Sequence, residues 1–331
     1  GFFKAGPVIR YMRENRLRTY RGGSEIQDNI LYAPMKGGFF RKGDQFDITR
    51  KRTTTGLKFG IKKAYVNVTE EIADIELELN SAFAVFDTVR TDMANAALTM
   101  SAILEIAAMQ DGQNVGGDDR LPAFNGFSEA LNDGTNTSWD GKTFPSYGGQ
   151  ARADVKGALT PPTGDIAANV NGPINNHVLE HSYQSCVIGD EHPRLGVTTS
   201  RCTAFINENY QPQQRLVDTV EPTIGWPGIK FKQATIVESQ YMPGARGVND
   251  PDLGNYLTTD GGETFLWMNP GGEGDDAYIR LHIAASPLFQ FGFTGWKVAK
   301  DDISVSGQIL FAGNIILRNI RLMRVLHGIL S

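Results

Sequence analysis

Apolar residues along this chain fall into two periods, and the change between them comes near residue 69. Before it, Phe46 and Ile48, then Leu57, Phe59 and Ile61, recur at every second position among Val, Tyr and Thr. That is the period of a strand with one covered face. The segments GGFFRKGDQFDITR and TGLKFGIKKAYVNVT therefore predict the arms of a long hairpin over residues 36–68. After it, Ile72, Ile75, Leu79, Phe83, Phe86, Val89, Met93, Ala97, Met100, Leu104 and Ala107 follow at steps of three and four. No Gly or Pro interrupts residues 70–111, so the spacing predicts one helix of about 40 residues and about 60 Å. Thr69 suits its N-cap, Glu70, Glu71 and Asp74 its positive end, and Gly112 its C′ position. Asn80–Ser81 is the weak point of the first turns.

Residues 1–35 read as an extended arm, broken by Gly6, Pro7, Gly22 and Gly23, with a short helix near 8–17. Residues 112–172 are loop-rich. A helix follows, with Asn171 or Gly172 as cap and Pro173 at its first position, running to about 188 and ending near Gly189. RLGVTTS predicts a strand and SRCTAFINENYQ a helix. IKFKQATIVES, ETFLWMNP, AYIRLHIAAS and VSGQILFAGNIILRNIRLMRVL predict further strands. Helices and strands mix without regular alternation, which is the α+β class.

Composition adds little beyond globularity: 331 residues, 40% hydrophobic and 21% charged, with 37 glycines. No run approaches 18 apolar residues, so no membrane span or membrane partner is expected. The N-terminus lacks the pattern of a secretory signal. The two cysteines, Cys186 and Cys202, form neither a C-x-x-C pair nor a zinc quartet, and reduced, buried thiols are expected.

Charge changes the picture more. Residues 1–63 carry 15 Lys and Arg against 5 Asp and Glu; the rest of the chain carries 17 against 32. A basic arm on an acidic body fits nucleic-acid binding by the arm. It equally fits head-to-tail association, with the arm of one copy lying on the body of the next. A solvated basic loop is the plain alternative.

Two motifs invite catalytic readings. NNHVLEHS holds His177, Glu180 and His181 in the H-x-x-E-H spacing of inverted zinc peptidases, on one helix face. A third ligand is missing, since His192, His282 and His327 sit in no second ligand motif. Structural or surface histidines are expected instead, placed so that Val178, Leu179 and Tyr183 face the core. The pair is also a candidate for pH sensitivity. Gly141, Lys142 and Thr143 match the end of a P-loop, but Asn136 stands where its first glycine belongs. No coherent catalytic constellation, metal site or cofactor is expected, and no enzyme.

The order of parts resembles the major capsid proteins of tailed bacteriophages, the Hong Kong 97-type fold. FRKGDQFDITRKRTTTGLKFGIKKAYVNVT resembles the extended loop leading into the spine helix, and MANAALTMSAILEIAAMQDG the end of that spine. YGGQAR, Tyr147 to Arg152, is similar to the Gly-Gly-x-x-Arg turn of the family. SCVIGDEHPRLGVTTSRCTAF resembles the helix–strand–helix of the axial domain, GIKFKQATIVES the family's Gly-Leu-Lys-Phe-type strand, and FLWMNP and QILFAGNIILRN the family's closing strands. The likeness covers nearly the whole chain in order; insertions around 114–146 and 244–276 depart from it. Crosslinking of subunits, known in some relatives, is not carried over, because no motif fixes a partner.

The resemblance implies an N-terminal arm (1–35), an extended β-hairpin loop (36–68), a peripheral domain with the spine helix (69–112 and 239–331) and an axial domain (113–238). It implies self-assembly into pentamers and hexamers of an icosahedral shell in the virion. The shell forms in the bacterial host cytoplasm and encloses double-stranded DNA without reading its sequence. Portal, scaffold and decoration proteins are further candidate partners. The candidate inter-subunit contacts are the basic Lys36, Arg41, Lys42, Arg50, Lys51, Arg52, Lys58, Lys62 and Lys63, opposed only by Asp44 and Asp47, and the apolar Phe39, Phe40, Phe46, Leu57 and Phe59. An encapsulin-like nanocompartment shell is the nearest alternative, a zinc peptidase or an arm-driven nucleic-acid binder the more distant ones.

Overall fold

A computed structural model describes residues 6–15, 17–23, 25–71, 82–112, 123–161, 169–210, 219–220, 228–251, 253–272, 276–298 and 304–330. The first of its two main sheets is built on one long strand, β18 (Ser304–Leu317). On one edge it pairs antiparallel with β4 (Lys62–Glu71), from Gly313 opposite Lys62 to Ser304 opposite Glu71. On the other edge it takes β15 (Ile279–Ala284), β16 (Gln290–Phe293) and β17 (Lys297–Val298) in succession. Strand β1 (Leu17–Tyr20) adds parallel to β15.

Helix α2 (Ala82–Met109) has 28 residues, about 42 Å. Its Ala96, Met100, Leu104 and Ala108 share a core with Val66 and Val68 of β4 and Ile309, Phe311 and Ile315 of β18. Helix α1 (Pro7–Asn15) rests on α2 and β15, burying Val8, Ile9 and Met12 at helical spacing.

The second sheet runs β7 (Asn169–Pro173), β19 (Arg324–Leu330), β14 (Glu263–Met268), β8 (Leu195–Thr198), β11 (Ala234–Glu238), β10 (Gly228–Phe231) and β9 (Thr219–Val220), in that order. Its central strands β8 (Leu195–Thr198) and β14 (Glu263–Met268) are wholly buried, and β19 (Arg324–Leu330) is buried up to Ile329. Alternation along β14 serves two cores. Leu266 and Met268 join the core of the first sheet. Phe265 and Trp267 face a second core with Val178, Leu179 and Tyr183 of α3 (Asn176–Ser185) and Cys202 and Ile206 of α4 (Ser200–Tyr210). Trp267 is ringed by Tyr183, Phe231 and Phe265, and its indole N–H donates to Ser182 Oγ at 2.9 Å. Because β14 and β19 belong to this sheet, a boundary at 238/239 that assigns 239–331 to the peripheral part does not separate the two sheets.

Several element boundaries differ from expectation for identifiable reasons. The ribbon is formed by β2 (Glu25–Leu31) and β3 (Thr54–Gly60), in register from Leu31 opposite Thr54 to Glu25 opposite Gly60. It is not formed by residues 36–68. The segment expected as its second arm divides at Ile61: β3 pairs with β2, whereas β4 finds its hydrogen bonds on β18. Pairing on β18 also overrides the helical period at its start. Thr69, expected as the helix N-cap, lies in β4 opposite Ser306, with Glu70 and Glu71 beside it. The expected helical residues 72–81 lie outside the described residues. Helix α3 begins after Asn175, whose side chain accepts from Val178 N at 2.9 Å, and it ends at Ser185. Asn171 and Pro173 belong instead to β7 (Asn169–Pro173), which is held by β19. IKFKQATIVES is not one strand but two, β10 (Gly228–Phe231) and β11 (Ala234–Glu238), turning at Lys232 with φ +51°.

The ribbon has no core of its own, and a charge fixes it to the first sheet. Ile26, Asp28 and Ile30 share one face of β2. Asp28 accepts from Arg280 Nη1 at 3.0 and 3.3 Å, and Arg318 Nε lies 3.5 Å away. The Arg280 and Asp28 side chains are 2% and 10% exposed. Removing one member of so buried a pair costs about 3 kcal/mol or more. Asp28→Ala is therefore expected to lower the urea-unfolding free energy of the isolated subunit by about 3 kcal/mol; an unchanged midpoint would show that the pair does not anchor the ribbon.

Candidate assembly surface

Between β2 and β3, residues 34–52 are exposed throughout, yet they are shaped by their own polar contacts. Lys36 Nζ reaches across to Asp47 Oδ2 at 2.5 Å and to the Thr49 hydroxyl, while Thr49 N donates to Asp47 Oδ1 at 3.0 Å. The ammonium of Lys36 and the groups of Thr49 hold the Asp47 carboxyl below its ordinary range. At the far end Arg41 to Asp44 make a turn. Asp44 N donates to Arg41 O at 3.0 Å, Arg41 N donates to Asp44 Oδ2 at 2.6 Å, and Gly43 has φ +98°. Phe40 and Phe46 meet edge to face across the tip, with ring centroids 5.0 Å apart.

This lobe holds its shape while leaving its apolar side chains uncovered. Phe39 is fully exposed, and Phe40 and Phe46 are 66% and 65% exposed. Arg41, Lys42, Arg50 and Lys51 are exposed around them. Arg52 instead folds back on the ribbon, with Nε on Thr54 O at 3.3 Å and Nη2 on Thr55 Oγ1 at 3.2 Å. Met35 and Ile48 are exposed here too and were not among the expected contacts. The alternation through Phe46 signals Ile48; nothing in the sequence around Met35 singles it out.

Two expected contact residues are in the wrong place for that role. Leu57 and Phe59 are buried within their own chain, because the period of β3 turns them inward while Lys58 points out. They pack on the two-residue hairpin turn of β5 (Ser146–Tyr147) and β6 (Gln150–Ala151). Phe59 meets Tyr147 edge to face at 5.0 Å, and Gly148, with φ +55°, sits where a Cβ would stand 2.8 Å from the Phe59 ring. The Lys58 amide donates to Gly148 O at 2.9 Å. Arg152, the last residue of this motif, is buried and donates to the carbonyls of Phe144, Glu129 and Leu159. Lys62 is likewise occupied internally, donating to Gly112 O at 2.8 Å, whereas Lys63 is exposed on β4.

The catalytic near-misses resolve into structural contacts. The rings of His177 and His181 lie 6.1 Å apart, and Glu180 between them pairs with Lys232 and accepts from Gln184. Val178, Leu179 and Tyr183 face the second core as expected. Among the described residues no group of three or more His, Cys, Asp or Glu is placed to hold a metal ion. Lys142 pairs with Asp111 at 2.7 Å, and its amide donates to Asp140 Oδ1 at 3.1 Å. Cys186 and Cys202 are buried, which pushes both thiols up to about 12. No helix among the described residues is long and apolar enough to cross a membrane.

No protein-family model matches this sequence, and no curated protein matches it. Solved structures do match. The capsid of Cyanophage A-1(L) superposes with a TM-score of 0.62 at 13% identity, over 99% of this chain and 94% of that one. The capsid of a native GTA particle gives 0.56 at 10% identity, over 98% and 90%. The SrpI encapsulin complex from Synechococcus elongatus PCC 7942 gives 0.54 at 10% identity, over 97% and 87%. Identities this low speak to architecture, and on architecture the matches agree from end to end: the chain has the Hong Kong 97-type fold shared by phage capsid and encapsulin shells.

Proposed function

We propose that this chain is the major capsid protein of a tailed bacteriophage, a structural rather than catalytic protein. It assembles into pentamers and hexamers of an icosahedral shell around double-stranded DNA. The observation that carries this reading is the pairing of an end-to-end match to a phage capsid with a preformed lobe whose apolar residues the chain itself leaves uncovered. In this reading the segment before the ribbon is the arm, and the lobe at the end of the ribbon reaches a neighbouring copy. Axial and peripheral parts surround the capsomer centre and its local three-fold positions. Assembly takes place in the bacterial cytoplasm and the product is the virion head, with portal, scaffold and decoration proteins as further partners.

Physical chemistry divides the work of the lobe. Burying each of Phe39, Phe40 and Phe46 on a neighbour is worth about 1.5–3 kcal/mol. Exposed charge pairs contribute a few tenths of a kcal/mol to about 1 kcal/mol each and are screened by salt. Arg41, Lys42, Arg50 and Lys51 therefore set encounter rate and register on an acidic body, while the aromatics hold the contact. An acidic body also leaves genome phosphates free to move, since a strongly basic wall would bind them.

The match to an encapsulin complex favours a second reading, a protein shell around protein cargo. Negative-stain microscopy of the expressed chain tests both: closed shells or capsomers are expected, and dispersed monomers at high concentration would overturn either. Shells purified from the native source are expected to hold DNA; an enzyme cargo instead would select the second reading.

Replacing Arg50 and Lys51 together by Glu is expected to slow or abolish shell formation while leaving the circular dichroism of the subunit unchanged. Normal shells at normal rates would refute docking through this segment. His177→Ala is expected to assemble as the unaltered chain does, and elemental analysis is expected to find no stoichiometric zinc; one zinc per chain would reopen the peptidase reading.

A further inference from the structure

We propose that residues 7–20, helix α1 with strand β1, form a releasable arm, with Glu105 as its latch and Gly22–Gly23 as its hinge. Glu105 lies on α2 and is fully buried. Its Oε1 accepts from Val8 N at 3.1 Å and its Oε2 from Ile9 N at 3.0 Å. These amides belong to the first turn of α1 and have no partner within their own helix. The charged form is drawn to the positive end of the helix, an attraction that full burial of the carboxyl outweighs. Ser239 Oγ lies 3.5 Å from Oε1, and Gly6 packs so closely that a Cβ would stand 2.2 Å from Oε2. The arm is also held by Val8, Ile9 and Met12 in the core, with Tyr11 and Tyr20 against it, by four residues of parallel pairing at the edge of the sheet, and by the Ala285 amide, which donates to Tyr20 O at 2.8 Å. Beyond β1, Gly22 and Gly23 have φ of +147° and +106°, where glycine turns freely and other residues do not. Among the contacts that join the arm to the body is a buried acid.

The proton on that acid changes how firmly the arm is held. Burial pushes the Glu105 carboxyl up to about 7, opposed in part by the Ile9 and Val8 amides and Ser239. The packed elements carry Arg10 and Arg13 on α1 and Glu238 at the end of β11; none of these contributes to the shift. On β15, Arg280 and His282 alternate away from Ile279, Leu281 and Ile283, with Arg280 turned to Asp28. With the arm released, Glu105 meets water and returns toward its ordinary 4.5. The docked value is the raised one, so docking takes up a proton. Its contribution is complete below about pH 4.5 and is lost as pH rises through about 7.

Hydrogen exchange on the unassembled full chain at pH 5.5 and 8.0, corrected for intrinsic rates, tests this. Protection of the amides of residues 8–20 is expected to fall about thirtyfold between the two, with β2 and β3 unchanged. Glu105→Gln is expected to abolish that pH dependence, and Gly6→Ala to lower arm protection at both values. Equal arm protection at both pH values in the unaltered chain would overturn the latch. So would loss of arm and ribbon protection together, the same pH dependence in Glu105→Gln, or full protection in Gly6→Ala.

Discussion

Ser304–Leu317 carries hydrogen-bonded neighbours on both edges: β4 along nearly its whole length, and β15, β16 and β17 one after another opposite. A buried strand leaves an expensive row of amides and carbonyls unless both edges are filled. Filling them draws together segments more than 200 residues apart in the chain. Once β4 is seated, its Val66 and Val68 give α2 a surface to cover. Once β15 is seated, its edge accepts β1, and Arg280 is in position to receive Asp28. The lobe at the end of the ribbon stands where it does because these pairings fix the base from which it extends.

The peripheral pieces are fastened by buried carboxylates rather than by cores of their own. Asp28 ties the ribbon to the first sheet, and Glu105 holds α1 on α2. Glu129 joins the end of α2 to the next segment, accepting from Gly112 N at 3.2 Å and Asn125 Nδ2 at 2.7 Å. Such contacts are directional and specify one geometry. They fix the placement of each piece alongside its apolar contacts with the main core.

Strands that lie in the middle of sheets were legible in the sequence. ETFLWMNP is apolar on both faces, RLGVTTS and AYIRLHIAAS on one; all are short, and each falls on its strand within a residue or two. The resemblance in the ordered motifs placed the fold. What the sequence concealed was partnership. The inward face of β2 reads Ile26, Asp28, Ile30, and the charge breaks the apolar alternation that would have marked it; Arg280, 252 positions away, explains it together with Arg318. The period of β3 marked Leu57 and Phe59 as covered, but not by what, and assigning them to a neighbour was wrong because the turn at Tyr147–Gly148 covers them first. Thr69 carries every local mark of a helix cap and loses to the long-range ladder on β18. For the lobe the reverse holds: Phe39, Phe40 and Phe46 are apolar yet stay exposed, outside the core of their own chain.

That turn at Tyr147–Gly148 does more than fill space. A two-stranded ribbon offers bare backbone on its outer edges, and any other extended chain can add to them. Gly148 accepts from the Lys58 amide, and Gln150 takes up both the Gly56 carbonyl, through its side-chain amide, and the Thr55 hydroxyl. The free side of β3 is thereby closed to strangers. In the proposed shell protein, made in many copies at once, bare strand edges invite indiscriminate strand-on-strand aggregation; occupying the free edge of β3 from within removes one such place.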